Sequence, residues 1–419
     1  MPALGPGAPD HPDPGTVKES FALVEQMIDG AMTYFYSHLF AASPQIHAMF
    51  PPAMNAQRER LFRGIARIVW SQDSPQALTS YLAELGRAHR KFGVTPEHYD
   101  AFRRALVATM RRYSGPAWSQ ETRGAWEAMF DQAARIMIDA AAEDARHAPP
   151  WWLAEITGHE LRAPGLAVLT LLPSQPLSYL PGQHVTVQTT RWPRVWRKFS
   201  VAGAPREDGQ LSLHVRAVPG GLVSTALVQH SRVGDVLLLG PAGGTMTVGT
   251  GSERDVLCIA GGTGLAPVKA VIEGIIGSYA PAGGSGEARS VPPGHALAGG
   301  SGGARSVVPP GQQRAINLFF GTRRESDLYD MPDLRRLESG YPWLRVIPVV
   351  SDEPGFGGLC GTLPEVIRRH EPWAGHDVYV SGPDEMIRET VHVLTHLGAP
   401  ADLIHCDLPP CPPDVTPSC

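Results

Sequence analysis

The chain lacks any apolar run approaching the ~18–20 residues needed to cross a bilayer, so no transmembrane segment is expected. Met1–Gly15 has neither a basic stretch nor an apolar core and does not read as a secretion signal. Cysteine is scarce. Cys258, Cys360, Cys406, Cys411 and Cys419 form no C-x-x-C pair, which argues against a zinc ribbon or a disulfide framework. They read as reduced thiols of a cytoplasmic protein. Surplus positive charge is also missing. Lys+Arg total 36 against 41 Asp+Glu, a net −5, so no footprint for nucleic acid or an anionic membrane is present. What abounds is glycine (45) and proline (40), too many for an all-helical protein. Its 419 residues predict two to four domains, at roughly 100–200 residues each.

The texture changes along the chain. From Thr16 to His147 apolar residues recur three and four apart, with breaks at Ser43-Pro44, Pro51-Pro52, Ser74-Pro75, Thr95-Pro96 and Ser114-Gly-Pro116. Serine or threonine before proline suits helix starts, and five to seven helices are expected. After Pro149-Pro150 short runs of Val, Leu, Thr and His alternate between turns: Leu166–Leu172, His184–Thr189, Arg197–Val201, Leu211–Val215 and Asp235–Leu239. That is an antiparallel barrel or sandwich. From Asp255 strands (Asp255–Ala260, Ala315–Phe320, Leu344–Val350, Asp377–Val380) alternate with helices (Met331–Glu338, Thr362–His370, Asp384–Leu397), the mark of a parallel α/β sheet. The fold class is therefore multidomain α + β + α/β. The expected divisions are a flexible tail 1–16, a helical domain 17–150, a barrel 151–250, an α/β domain 251–408 and a loose tail 409–419. A repeat, Ala282–Gly294 recurring as Ala298–Gly311, cannot bury a core and marks 279–313 as a low-complexity insertion.

Three constellations carry chemistry. In the predicted helix Pro75–Phe92, His89 shares an apolar stripe with Leu78, Leu82, Leu85 and Phe92. It is either a core histidine satisfied by a carbonyl or an axial ligand leaving one haem position open to a diatomic gas. Gln57 heads the stripe Leu61, Ile65, Ile68, Val69, where an amide suits the wall of a gas pocket. Tyr36 can point a phenol inward among Met32, Leu39 and Phe40, and Phe50 is a large ring at a turn. In the barrel, Arg197 and Phe199 share one strand face and Lys198 and Ser200 the other, downstream of Pro181-Gly182-Gln183-His184. Gly220-Gly221-Leu222-Val223-Ser224 then opens a helix. In the last domain a strand runs into Gly261-Gly262-Thr263-Gly264-Leu265-Ala266-Pro267 and a helix, where small residues let backbone approach a pyrophosphate. Gly321-Thr322-Arg323 and Ser381-Gly382-Pro383, with Met386, follow two further strands and fall at the carboxyl edge of the sheet.

Tyr36, Phe50, Gln57, Leu61 and His89, in that order and followed by Pro96-Glu97-His98-Tyr99, resemble the globin domain of flavohaemoglobins. Arg197-Lys198-Phe199-Ser200 with Gly220-Gly221-x-x-Ser224 resembles the flavin domain of the ferredoxin reductase family. Gly261–Pro267 resembles that family's nucleotide signature. The resemblance implies haem b on His89, FAD, and NADH or NADPH. Tyr36 and Gln57 would be distal polar residues, Phe50 and Leu61 would pack the haem, and Tyr99 would stand near the proximal imidazole. Arg197 would pair with the FAD pyrophosphate, Phe199 would pack on the cofactor and Ser200 would lie at the flavin ring. Lys198 and Val223 fall within the same motifs, and Gly220, Gly221 and Ser224 would meet phosphate. Gly262, Thr263, Gly264, Pro267, Gly321, Thr322, Arg323, Ser381, Gly382, Pro383 and Met386 would bind NAD(P)H. Arg323 and Arg324 would contact a ribose 2′-phosphate or simply be solvated.

Four positions depart from that family. Ala141 replaces the glutamate that usually bonds the proximal imidazole, with Glu143 and Asp144 close by. His184 replaces a common tyrosine and Ser381 a common cysteine. The stretch Ile404–Pro409 lacks the aromatic that covers the flavin. The implied activity is a nitric oxide dioxygenase: electrons pass from NAD(P)H through FAD singly to haem iron, where bound O₂ oxidises NO to nitrate. Alternatives are a haem oxidoreductase acting on peroxide, lipid or quinone, and an O₂/NO sensor with an attached reductase. The chain is expected to be a monomer or weak dimer.

Overall fold

The computed structural model describes residues 14–51, 54–249, 251–278, 313–370 and 372–407. The expected insertion, up to residue 312, the tail 409–419 and the first thirteen residues lie outside these. The chain divides by its contacts into two units, Met1–Trp151 and Trp152–Cys419. No helix among the described residues is long and apolar enough to cross a membrane.

The first unit is helical: α1 (Pro14–Glu25), α2 (Ile28–Ala42), α3 (Pro44–His47), α4 (Asn55–Trp70), α5 (Pro75–His89), α6 (Pro96–Tyr113) and α7 (Gln120–Ala145). Proline stands in the first turn of α3, α5 and α6, where its missing N–H costs nothing. Thr95 starts α6 with a capping box, its backbone N–H donating to His98 Nδ1 at 2.9 Å. The main core joins Met32, Phe35 and Leu39 of α2 to Ile65 and Val69 of α4, Leu106 and Met110 of α6, and Trp126 of α7. The Trp126 indole N–H donates to Ser20 Oγ at 2.9 Å, which satisfies its one polar atom in the core. A smaller cluster gathers Leu82, Ala133 and Met137, with Leu78, Leu85 and Tyr99 against it.

Two details differ from expectation. The first helix begins at Pro14, inside the expected tail. The α5 helix stops at His89 rather than Phe92, because Arg90–Phe92 tightens into a 3₁₀ turn closed by Gly93 at φ 72°.

The second unit opens with β1 (Trp152–Ala163), β2 (Leu166–Pro173), β3 (His184–Gln188), β4 (Arg197–Ser200), β5 (Leu211–Arg216), the short α8 (Leu222–Thr225) and β6 (Val236–Leu239). The strands order β4-β3-β6-β1-β2-β5, all neighbours antiparallel. Val201 bridges Leu213, and Ala202 N–H donates to Ser212 O at 2.8 Å, so the chain just after β4 returns to β5. The two edges of the sheet thus approach each other and shield their backbone groups. The longest strand, β1, is absent from the sequence expectation. Only Trp152–Ile156 alternates buried and exposed, and a register shift follows between Ile156 and Gly158.

The rest comprises β7 (Val256–Gly261), α9 (Leu265–Ser278), β8 (Ile316–Thr322), α10 (Met331–Gly340), β9 (Leu344–Val350), β10 (Leu359–Cys360), α11 (Leu363–Arg369), β11 (Asp377–Ser381), α12 (Asp384–His396) and β12 (Ile404–Cys406). All strands are parallel, in the order β10-β9-β8-β7-β11-β12. The order reverses between β7 and β11, and ligands of such sheets bind in the crevice at the carboxyl ends there.

One contact fixes how α5 is held. A Cβ built on Gly86 would lie 2.2 Å from Met137 O and 2.6 Å from Met137 Cα, both backbone atoms of α7. Neither can rotate away, so Gly86→Ala must push the helices apart. The expected cost is about 1–3 kcal/mol of stability. Chemical denaturation of the variant checks it, and an unchanged midpoint contradicts this packing.

Candidate functional site

In the first unit His89 is the last residue of α5, and its ring is half-buried. Its Nδ1 lies 2.6 Å from Leu85 O, a bond in which Nδ1–H donates and the Nε2 lone pair stays free. Burial holds its pKa below the ordinary 6.5, against the Leu85 bond, and Lys91 pushes the same way as burial. A neutral imidazole with one nitrogen anchored to a carbonyl and the other available fits an axial ligand. Among the described residues, no carboxylate is hydrogen-bonded to this ring. Ala141 is half-buried, Glu143 pairs with Arg146 at 2.6 Å, and Asp144 pairs with Arg90, whose Nη2 also donates to Ala148 O at 2.7 Å. Tyr99 packs against the Leu82–Met137 cluster, and burial pushes its pKa up to about 12.

Tyr36 is 3% exposed on α2, within an aromatic group: its ring lies 5.5 Å from Phe50 and 5.6 Å from Phe40. Its hydroxyl donates to the backbone carbonyl of Gln57 at 3.4 Å, while Gln57 Oε1 accepts from Arg60 at 3.0 Å. The two residues therefore meet through backbone, with the amide turned toward Arg60. Burial pushes the Tyr36 pKa up to about 12, with Gln57 opposing, so the phenol remains a donor throughout the neutral range. Phe50, Gln57, Leu61 and His89 are all only half-buried, although they lie among fully buried Phe35, Ile65 and Leu82. A set of large interior side chains that neighbouring side chains leave incompletely covered fits a flat apolar group such as haem.

In the barrel the register sets His184 opposite Ser200, Val185 opposite Phe199, Thr186 opposite Lys198 and Val187 opposite Arg197. Arg197 and Lys198 are exposed, and Phe199 and Ser200 half-buried. Arg197 Nη1 donates to Trp196 O at 2.9 Å, which leaves the rest of the guanidinium fork for an anion. His184 Nδ1 lies 3.7 Å from Asp407 Oδ2 beside Gly244. Gly220 takes the left-handed conformation at φ 72°, and Gly221 precedes α8. Ser224 Oγ accepts from Val218 N–H at 3.3 Å and donates to Gly221 O at 3.4 Å, closing its own turn. Val223 is fully buried and has only backbone to offer a cofactor. An exposed guanidinium on the same strand as half-buried Phe199 and Ser200 fits a flavin pyrophosphate and ring.

The nucleotide motifs converge more closely. A Cβ on Gly264 would lie 2.3 Å from Ser381 O and 2.6 Å from Gly382 N, so the turn after β7 seats directly on the turn after β11. Met386 Cε covers Gly261 and Gly382, and Pro383 Cδ lies beside Gly261. Pro267 is buried in the first turn of α9. At the end of β8, Thr322 Oγ1 donates to Arg324 O at 2.8 Å, Gly321 is buried against Leu363, and Arg323 is exposed. Thr263 is half-buried in the 3₁₀ turn Gly262–Gly264. Backbone amides packed without intervening side chains at a strand-order reversal fit a dinucleotide.

The sequence expectation missed a buried charged group joining the barrel to the α/β part. Arg162, His214, Lys269, Tyr329 and Asp330 belong to it. Its one local signal was His214, a histidine on the outward side of an alternating strand.

Comparison with known proteins agrees with this arrangement. Residues 33–137 match the globin family model, 165–246 the oxidoreductase FAD-binding domain and 258–392 the oxidoreductase NAD-binding domain. The reductase component of the naphthalene 1,2-dioxygenase/salicylate 5-hydroxylase systems of a Ralstonia species is 29% identical over 72% of this chain and 84% of its own length. The chain spans 61% and 66% of two similar Pseudomonas putida electron-transfer components. A flavohemoprotein of Deinococcus radiodurans is 26% identical over 88% of this chain and 89% of its own length. The crystal structure of a Malassezia yamatoensis flavohemoglobin, with FAD and haem, shares the fold at 16% identity. Its TM-score is 0.72, over 94% of this chain and 97% of that one. A globin domain thus precedes an FAD- and NAD-binding oxidoreductase module.

His89 has a consequence for pH. Its folded pKa lies below 6.5, so between the two values the unfolded chain binds the extra proton. Above 6.5 both states are neutral and nothing is lost; as pH falls below 6.5 stability declines. His214, also held well below 6.5 by burial, adds to the same limb. Urea midpoints of the apoprotein from pH 8 to 5 should fall on the acid side, and His89→Leu should flatten the fall. An identical acid limb in the variant contradicts a buried neutral His89.

Proposed function

We propose that this globin joined to a flavin- and nicotinamide-binding module is an NAD(P)H-dependent nitric oxide dioxygenase. The observation that carries the reading is His89: a half-buried imidazole kept from its proton and aimed by the Leu85 carbonyl, in a unit that matches globins. When bound, haem iron supplies the centre where dioxygen and NO combine to nitrate, and FAD divides the electron pair of NAD(P)H into single electrons for that iron.

The chain's own residues do the rest. His89 would hold the iron from one side. Tyr36 stays protonated and can donate a hydrogen bond to a ligand carrying partial negative charge. Phe50 and Leu61 would exclude water from the porphyrin faces. The His89 imidazole bonds a carbonyl instead of a carboxylate, so it would donate less electron density to a bound iron. That favours reversible dioxygen binding over O–O cleavage and so argues against peroxidase work. Arg197 and the Gly220–Gly221 turn would hold FAD, with Phe199 and Ser200 at its ring. The Gly261–Gly264 and Ser381–Gly382 turns would hold NAD(P)H.

The likeness of the second unit to reductase components supports a second reading, in which the electrons reach another acceptor. One experiment separates the two. The haem- and FAD-loaded protein is given NAD(P)H and air, then pulses of NO. Rapid NO loss with equimolar nitrate is expected. NO loss at the protein-free rate, while a dye is still reduced, overturns the dioxygenase reading and leaves the second.

Two variants test the residues. His89→Ala should lose haem but keep NADH–dye reduction; retained haem with an unchanged spectrum removes His89 as ligand. Tyr36→Phe should raise the dioxygen dissociation rate about 10-fold or more, the worth of a hydrogen bond to a charged group. An unchanged rate removes Tyr36 from the distal role.

A further inference from the structure

The second unit buries a charged network that no cofactor role explains. Asp330, at the start of α10, is 1% exposed, and its carboxylate accepts from Lys269 Nζ of α9 at 2.7 Å. Arg162 Nη1 of β1 approaches Asp330 at 3.6 Å and Asp333 at 3.4 Å. Beside them the buried His214 of β5 meets the Tyr329 hydroxyl at 2.7 Å, and Arg216 pairs with Asp327 at 3.3 Å. Barrel residues supply Arg162, His214 and Arg216, and α/β residues supply the rest.

Burying such charges costs several kcal/mol per ion before pairing, and well-packed apolar residues often do as well. Stability alone is therefore a poor reason for this network, and its place in the fold suggests a better one. Lys269 lies five residues past the Gly261–Gly264 turn on α9, which starts directly after it, so whatever grips Lys269 also bears on that turn. One turn further along α9, Glu273 Oε2 accepts from Ala204 N–H at 3.0 Å, four residues after Ser200. His214 adjoins Leu213, which bridges Val201, the residue after Ser200. The helix behind the dinucleotide turn is thus tied to the strand behind the flavin by two routes. One runs through Glu273 and the other through Asp330, Arg162 and the Tyr329–His214 pair.

We propose that the Lys269–Asp330–Arg162 network and the Glu273–Ala204 bond are positioning elements that set the separation between the dinucleotide turn and the flavin strand. Electron transfer between two bound rings depends steeply on their spacing, and an error of about 1 Å costs up to ~100-fold in rate. Charges paired around a buried carboxylate define one register, where apolar packing would tolerate sliding. The proposal rests on the oxidoreductase reading of the second unit and is independent of NO chemistry.

The test uses the full chain with Lys269→Met, Lys269→Arg and Glu273→Ala. Hydrogen exchange, read without added nucleotide, should quicken in both 261–268 and 197–204 for Lys269→Met and Glu273→Ala, and stay near wild type in the first unit. In single-turnover reduction of the FAD-loaded protein by NADH, both variants should lose about 10-fold or more in limiting rate. The NADH dissociation constant should move less than about 3-fold, and Lys269→Arg should recover most of the rate. If exchange quickens in only one of the two segments, or the loss falls on NADH affinity with the limiting rate intact, the positioning role is overturned. Should Lys269→Met not fold, Glu273→Ala alone decides by the same two readouts. Absence of a flavin spectrum in wild type would instead fail the oxidoreductase reading.

Discussion

The hydrogen bond from His89 Nδ1 to the Leu85 carbonyl is the smallest interaction on which the functional reading depends. It lies within a single helix, so any amphipathic helix with histidine at this spacing could form it. What makes it consequential is its setting. Burial keeps the ring neutral, the bond fixes the tautomer, and Gly86 seats the helix on the α7 backbone so that the ring cannot drift. Remove any one of these and the free Nε2 either gains a proton or loses its aim.

The second unit solves a related problem by different means. The groups proposed to hold its cofactors are mostly backbone amides in glycine turns, which carry no orienting side chains. They are aimed by how the turns pack on each other, as Gly264 packs on Ser381 and Gly382. Such a site is only as well placed as the elements behind it. On the positioning proposal the ionic pairs behind the α/β turns hold those elements in register, while the helical unit packs apolar side chains around a histidine. A prosthetic group held through an axial bond aligns itself, whereas two cofactors that must meet ring to ring need the protein to hold both.

Much of the fold was legible because its cues are local. Proline after Ser43, Ser74 and Thr95 marks helix starts by the chemistry of a single residue. The strands after 166 show their alternation, and the glycine turn shows itself between strand and helix. The strand β1 was not legible, because its alternation stops at Ile156 and Glu160 and Arg162 follow in its outer half. The end of α5 was misjudged because the apolar stripe continues through Phe92 while the backbone tightens at Arg90. The glycine motifs marked the turn after β7 and the turn after β11, and the structure packs Gly264 on Ser381 and Gly382. Spacing could not foretell that Gln57 turns its amide to Arg60, that Ser224 closes its own turn, or that Val223 is fully buried. The buried network was invisible for a deeper reason. Lys269 and Asp330 are 61 residues apart and His214 and Tyr329 are 115 apart, and no periodicity encodes such pairings.

The departures from the flavohaemoglobin pattern fall into two kinds. Ala141 removes a side chain and nothing replaces it at His89, since Asp144 is taken by Arg90 and Glu143 by Arg146. The Leu85 carbonyl holds the ring in place, and a carbonyl partner would leave an iron-bound imidazole a weaker donor than a carboxylate partner would. His184 works the other way. It places an imidazole opposite Ser200, with its Nδ1 3.7 Å from Asp407 Oδ2. The two departures thus act in opposite senses: one takes a side chain away from the proposed haem site, and the other brings a histidine within reach of a carboxylate at the proposed flavin site.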